Sequence, residues 1–86
     1  MPELSRFFGI IIAMYYNDHA PPHFHAKYGS DEATIRIDNG DVLEGALGVR
    51  AKRLVEEWRV LHQAELQDDW ARAQARQPLN KIAPLE

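Results

Sequence analysis

The apolar and polar positions change period along the chain, and each change marks an element. From Phe7 to Tyr16 the residues are almost continuously apolar, with Ile10, Ile11 and Ile12 at the centre. That run is short for a helix and rich in β-branched and aromatic residues, which predicts a first strand. Pro21 and Pro22 interrupt regular structure, since neither has a backbone N–H to donate and both fix φ. His23 to Tyr28 then reads as a second strand. Gly29-Ser30-Asp31 carries turn chemistry, after which Ala33, Ile35 and Ile37 alternate with Thr34, Arg36 and Asp38, the period of a half-buried third strand. Asn39-Gly40 suits a type I′ turn, so Val42 to Glu44 is expected to pair back as a short fourth strand.

From Gly48 the period becomes helical. Ala51, Leu54, Val55, Trp58, Leu61, His62 and Leu66 recur at three- and four-residue steps as one stripe, and Arg50, Lys52, Arg53, Glu56, Glu57, Arg59 and Gln63 fall off it as a solvated face. Asp68 and Asp69 are placed to cap a short second helix carrying Trp70 and Ala73, which ends before Pro78. The expected fold is an α+β domain: a small antiparallel meander of three to four strands, one long amphipathic helix on one face and a short C-terminal helix. Residues 1–86 make one domain, with strands within 7–44, helices within 48–77 and a tail over 78–86 whose Leu79, Ile82 and Leu85 are free either to lie back on the domain or to stay unstructured.

Alternation along the second strand sends Phe24, Ala26 and Tyr28 toward the helix, and His23, His25 and Lys27 the other way. Thr34 and Arg36 join the histidines, giving an expected polar, locally basic platform. His62 rides the helical stripe and is kept apart from this set, while His19, in the loop before the prolines, is free to complete it. The first strand is apolar on both faces, which a strand in a lone two-layer domain should not be. As an edge strand of a meander it would invite another chain. A protein partner, either a second copy or a different chain, is therefore expected to cover Ile10, Ile11 and Ile12.

Composition narrows the chemistry. The 86 residues include no cysteine, so any metal must be held by histidine and carboxylate. No apolar stretch approaches the roughly 18 residues of a membrane span, and the N-terminal residues lack a secretory pattern, so a cytoplasmic location without membrane contact is expected. A net charge of -3 opposes generic nucleic-acid coating, which needs clustered lysine and arginine.

His23 and His25, at i and i+2 of one strand, can point the same way. That spacing suits a general acid and a general base acting on one phosphodiester, because imidazole titrates near neutral pH. Lys27 and Arg36 would then hold an anionic substrate, and Asp18 or His19 would orient a ring or touch substrate. The same spacing suits a divalent metal on His19, His23 and His25, although the acid–base reading requires none. A third reading makes these histidines ordinary surface residues bonded to their neighbours.

Three segments carry a family resemblance: PELSRFFGIII from Pro2 to Ile12, DHAPPHFHAKYG from Asp18 to Gly29, and LVEEWRVLHQAEL from Leu54 to Leu66. Together they resemble the bacterial domain of unknown function family four-one-six-zero. Asp18, His19, Pro21, Pro22, His23, Phe24, His25, Tyr28 and Gly29 match its signature, as do Trp58, His62, Glu65 and Leu66, and the resemblance extends to the tail around Lys81 to Leu85. Ala20 departs from it, standing where members often carry a polar residue. The resemblance implies a toxin-like component of a type II toxin–antitoxin pair with a neighbour-encoded, antitoxin-like partner. RNA is the expected substrate, and metal-free ribonuclease chemistry by His23 and His25 the expected activity. The rival expectation is a non-enzymatic module that binds a protein or, weakly, a metal.

Overall fold

The computed structural model describes residues 2–86. Five strands, β1 (Glu3–Phe7), β2 (Ile10–Ala13), β3 (His23–Tyr28), β4 (Asp31–Arg36) and β5 (Val42–Gly45), precede two helices, α1 (Val49–Leu61) and α2 (Gln63–Gln74). The strands form one antiparallel sheet in chain order. The α+β class and the meander are as expected, with one strand more than the upper expectation.

The additional strand comes from splitting the first apolar run. Phe8 and Gly9 both take positive φ, 49° and 82°, so Phe7 and Ile10 pair across a two-residue turn of the type that matches strand twist. An apolar residue in the left-handed region gives no turn signal in the sequence, so the run looked continuous. The consequence is topological: β2 lies between β1 and β3 and is not an edge strand. Ile10, Ile12, Ala13 and Met14 are fully buried within the chain's own fold and Ile11 is partly buried, so an exposed strand edge is no longer a reason to expect a covering chain here. At the Asn39-Gly40 turn only Gly40 has positive φ, so the type I′ expectation gives way to a wider loop closed by Arg36 N–H to Asp41 C=O (2.9 Å) and Gly40 N–H to Arg36 C=O (3.0 Å).

Trp58 is the centre of the core. Its ring lies 5.5 Å from Phe7 and 5.9 Å from Phe24, and its indole N–H donates to the Ala83 carbonyl (2.9 Å). Ile12, Phe24, Ala26, Ala33 and Ile35 face it from the sheet, as the alternation predicts, and Ala51, Val55 and Leu66 from the helices. Tyr28 is half-exposed at the end of its strand.

The long helix breaks at His62, so the second helix begins at Gln63 and Asp68 and Asp69 lie inside it rather than capping it. Glu65 reaches back to His62 Nδ1 (2.6 Å) across the break. Leu61 falls outside the stripe and is exposed. Arg59 moves in the opposite sense: expected on the solvated face, it is 6 % exposed. Its guanidinium donates to the Ile37 carbonyl (2.8 Å) and is held by Glu56, which offsets the cost of burying the charge.

The tail lies back on the domain. Ile82 N–H donates to Leu4 C=O (2.8 Å), Asn80 N–H to Asp69 Oδ1 (2.8 Å), and Ile82 and Leu85 are buried. One edge of the sheet is thus partly clasped by the tail, and β5, at the other edge, is exposed along its length.

Candidate metal centre

The segment between β2 and β3 is tied down from several directions, and this fixes Asp18. Asn17 N–H reaches Ala73 C=O at the end of α2 (3.4 Å), Gln74 Nε2 donates to the Asp18 carbonyl (3.1 Å), and Ile37 N–H donates to Pro22 C=O (3.1 Å). The Ala20–Pro21 peptide is cis. With its backbone held, Asp18 turns its carboxylate onto the first residues of β3.

Asp18 Oδ2 lies 2.8 Å from His23 Nε2 and 3.4 Å from His25 Nε2. One ligand atom from each of Asp18, His23 and His25 lies within 4.8 Å of the others, so this group can hold a metal ion. Donors about 2.0–2.1 Å from a tetrahedral ion stand about 3.3 Å apart, and the two separations from Asp18 Oδ2 lie on either side of that figure.

The other ring nitrogens decide what these donors can do. His23 Nδ1 lies 2.7 Å from the Pro21 carbonyl, which can only accept, so Nδ1 carries the proton. In the neutral ring Nε2 is then a bare lone pair aimed at a carboxylate oxygen, and two acceptors at that distance need a cation or a proton between them. His25 Nδ1 faces Thr34 Oγ1 (3.4 Å) and the Glu32 carboxylate (3.6 Å), the kind of support that orients a metal-bound imidazole. Partial burial pushes the Asp18 carboxyl up, but the His19 amide on Oδ1 (2.8 Å) and the two imidazoles outweigh it and hold the group below the usual aspartate value.

Aromatic rings close the sides. Trp70 of α2 packs on His23 at 5.1 Å, and Tyr15 meets His25 edge-on at 4.4 Å. The His23 side chain is 9 % exposed and that of His25 13 %.

The cluster opens into a cleft of about 420 Å³ whose wall also includes His19, Glu32, Thr34, Leu43 and Glu44. Among the described residues, no lysine or arginine lines it. His19 is exposed at its rim and stands outside the ligand group, with Asp18 in the place it was expected to fill. Arg36 shares the open face but is engaged by Asp38 (2.6 and 3.1 Å), and Lys27 lies 4.0 Å from Glu32. The expected basic platform is therefore balanced by carboxylates. Sequence reasoning missed Tyr15, Trp70, Glu32 and Glu44. The last two were legible in part, since Glu32 falls opposite Lys27 and Glu44 opposite Thr34 in strand register. Nothing local marks Trp70, which reaches the site from α2. His62 stays with Glu65 and Trp58, away from the cluster, as expected.

Residues 9–71 match the family model for DUF4160, a domain of unknown function. The chain belongs to that family. The match takes in the loop, both histidines and Trp70, so the candidate site of this DUF4160 member lies inside the shared region. It leaves out β1 and the tail, where the resemblance had been expected to continue. No curated protein and no solved structure matches the chain. Among the described residues no helix is long and apolar enough to cross a membrane.

Proposed function

We propose that this DUF4160 domain is a divalent-metal-binding module whose cation is held by Asp18, His23 and His25. One observation carries the reading: Asp18, His23 and His25 each bring one ligand atom within 4.8 Å of the others, and the Pro21 carbonyl, by taking the His23 Nδ1 proton, leaves Nε2 able to serve as a ligand. The acidic wall of the cleft supports it, because Glu32 and Glu44 favour a cation at its base. Zn²⁺ suits two imidazoles and a carboxylate, with a fourth position open toward the cleft.

Calorimetric titration of Zn²⁺ into the full chain tests this. Binding at micromolar or tighter affinity is expected, with at least about a tenfold loss in each of His23→Ala, His25→Ala and Asp18→Asn. Far-UV circular dichroism checks that each variant is folded. Failure of the wild type to bind, or variants that bind like it, would overturn the reading.

A second reading keeps His23 and His25 as acid and base on RNA in a toxin-like member of a toxin–antitoxin pair. The contacts of His25, no shorter than 3.4 Å at either ring nitrogen, support it by leaving that ring open to substrate. Two features favour it less. Both nitrogens of His23 are already engaged, and the arginine expected to hold phosphate is tied to Asp38. Growth arrest by the wild type, relieved by a neighbour-encoded protein and absent in a His25→Ala strain, would favour this reading over metal binding alone. The antitoxin-like partner remains part of this second proposal.

A further inference from the structure

The cleft above the Asp18, His23 and His25 group has a composition that says what else enters it. Glu44 projects from β5, opposite Thr34 in register, and Glu32 projects from β4 beside His25. The ion pair at 4.0 Å with Lys27 draws on Glu32, but among the described residues Glu44 makes no ion pair. Leu43 adds an apolar patch beside it. At the base of the same cleft His23, nine-tenths buried, brings its Nε2 to 2.8 Å from Asp18 Oδ2 as one member of the candidate ligand group. The cleft thus has a candidate metal-binding group at one end and a carboxylate without an ion pair on its wall, and among the described residues no Lys or Arg lines it.

Resting on the metal-binding reading, we infer that the cleft takes a small ligand bearing a lone-pair donor for the metal and a cationic arm, an amine or guanidinium, for Glu44. A phosphate ester is the ligand class it disfavours, because the Glu32 and Glu44 carboxylates stand on the wall and among the described residues no Lys or Arg lines it. Glu44 is the specificity-determining residue of this arrangement and Leu43 supports the arm's methylene stem, as long basic side chains require. Thr34 Oγ1 lies on the same wall and can accept from the ammonium or donate to the metal-bound group.

Three amino-acid hydroxamates that share one metal-binding group and differ only in the arm test the inference. L-lysine, L-norleucine and L-glutamate hydroxamates are titrated into the Zn²⁺-loaded full chain, followed by NMR at the Thr34 and Glu44 amides. The lysine analogue is expected to bind about fivefold tighter than the norleucine analogue, the scale of one partly exposed ion pair, and the glutamate analogue weakest. In Glu44→Gln, saturated with Zn²⁺ at its own measured affinity, the preference for the lysine over the norleucine analogue should shrink to near unity. Equal affinities, a preference for the glutamate analogue, or a lysine preference that survives Glu44→Gln would overturn the inference and leave the metal reading standing. Failure of the wild type to bind Zn²⁺ would remove both.

Discussion

The two faces of β3 work by different physics. Phe24 and Ala26 face a dry interior in which Trp58 fills the space between sheet and helices, and burial area alone accounts for their position. His23 and His25, one residue out of phase, face polar atoms brought in from the loop before the strand, from β4 and from α2. The apolar face tolerates any residues of the right volume, whereas the polar face depends on where single atoms point. Stability should therefore respond chiefly to the first face, and ligand binding to the second.

The largest expected effect falls on the apolar face. Trp58→Ala should cost about 3–5 kcal/mol, enough to unfold much of a domain this small, and urea denaturation measures it. A loss below about 1 kcal/mol would mean that the core does not rest on this ring.

Two aspartates sharpen the comparison because they are shifted in opposite directions. Asp69 is 1 % exposed, and burial, aided by Asp68 and Glu65, raises its carboxyl above the usual value against the Asn80 amide and Arg72. A carboxyl raised in this way contributes its stability fully below the unfolded value of about 3.9 and loses it as pH rises through the folded value. Asp69→Asn keeps an acceptor for Asn80 N–H and removes that pH-dependent loss, so the stability difference between variant and wild type should move in the variant's favour as pH rises from about 4 to 7, which urea midpoints at the two pH values would show.

Asp18 behaves in the reverse sense, since its carboxyl lies below the usual value. Its contribution is present above about pH 4 and is lost as pH falls through the folded value. Metal-free Asp18→Asn should lose about 0.5–1 kcal/mol at pH 7 and match the wild type in strong acid, as denaturation midpoints across pH would show. Equal pH slopes for the two proteins would break the assignment. The smallest effect is expected at the β1–β2 turn, where Phe8→Asn places a residue suited to positive φ and should raise stability by about 0.5 kcal/mol in thermal melts.

Much of this was legible in the sequence where the pattern was local. The period of two assigned the faces of β3 and β4, and the helical stripe found Ala51, Val55, Trp58 and Leu66. The hairpin at Phe8-Gly9 was hidden because its left-handed residue is apolar and sits among apolar neighbours. Arg59 was misplaced because helical phase predicts a direction but not the unpaired carbonyl, that of Ile37, waiting there. The candidate site was half visible: the histidines and Asp18 stand in one short motif, but Trp70 and Glu44 meet them only through tertiary folding.

The tail also makes the seal of the core a detachable part. Trp58 leans on the Ala83 carbonyl, and Leu4 at the opposite end of the chain accepts from Ile82. Cutting the chain after Leu79 would remove no strand and no helix, yet it would take away the Ala83 carbonyl and the buried Ile82 and Leu85 that pack on the core around Trp58. A protease acting on the last seven residues would thus uncover the tryptophan and leave every regular element in place.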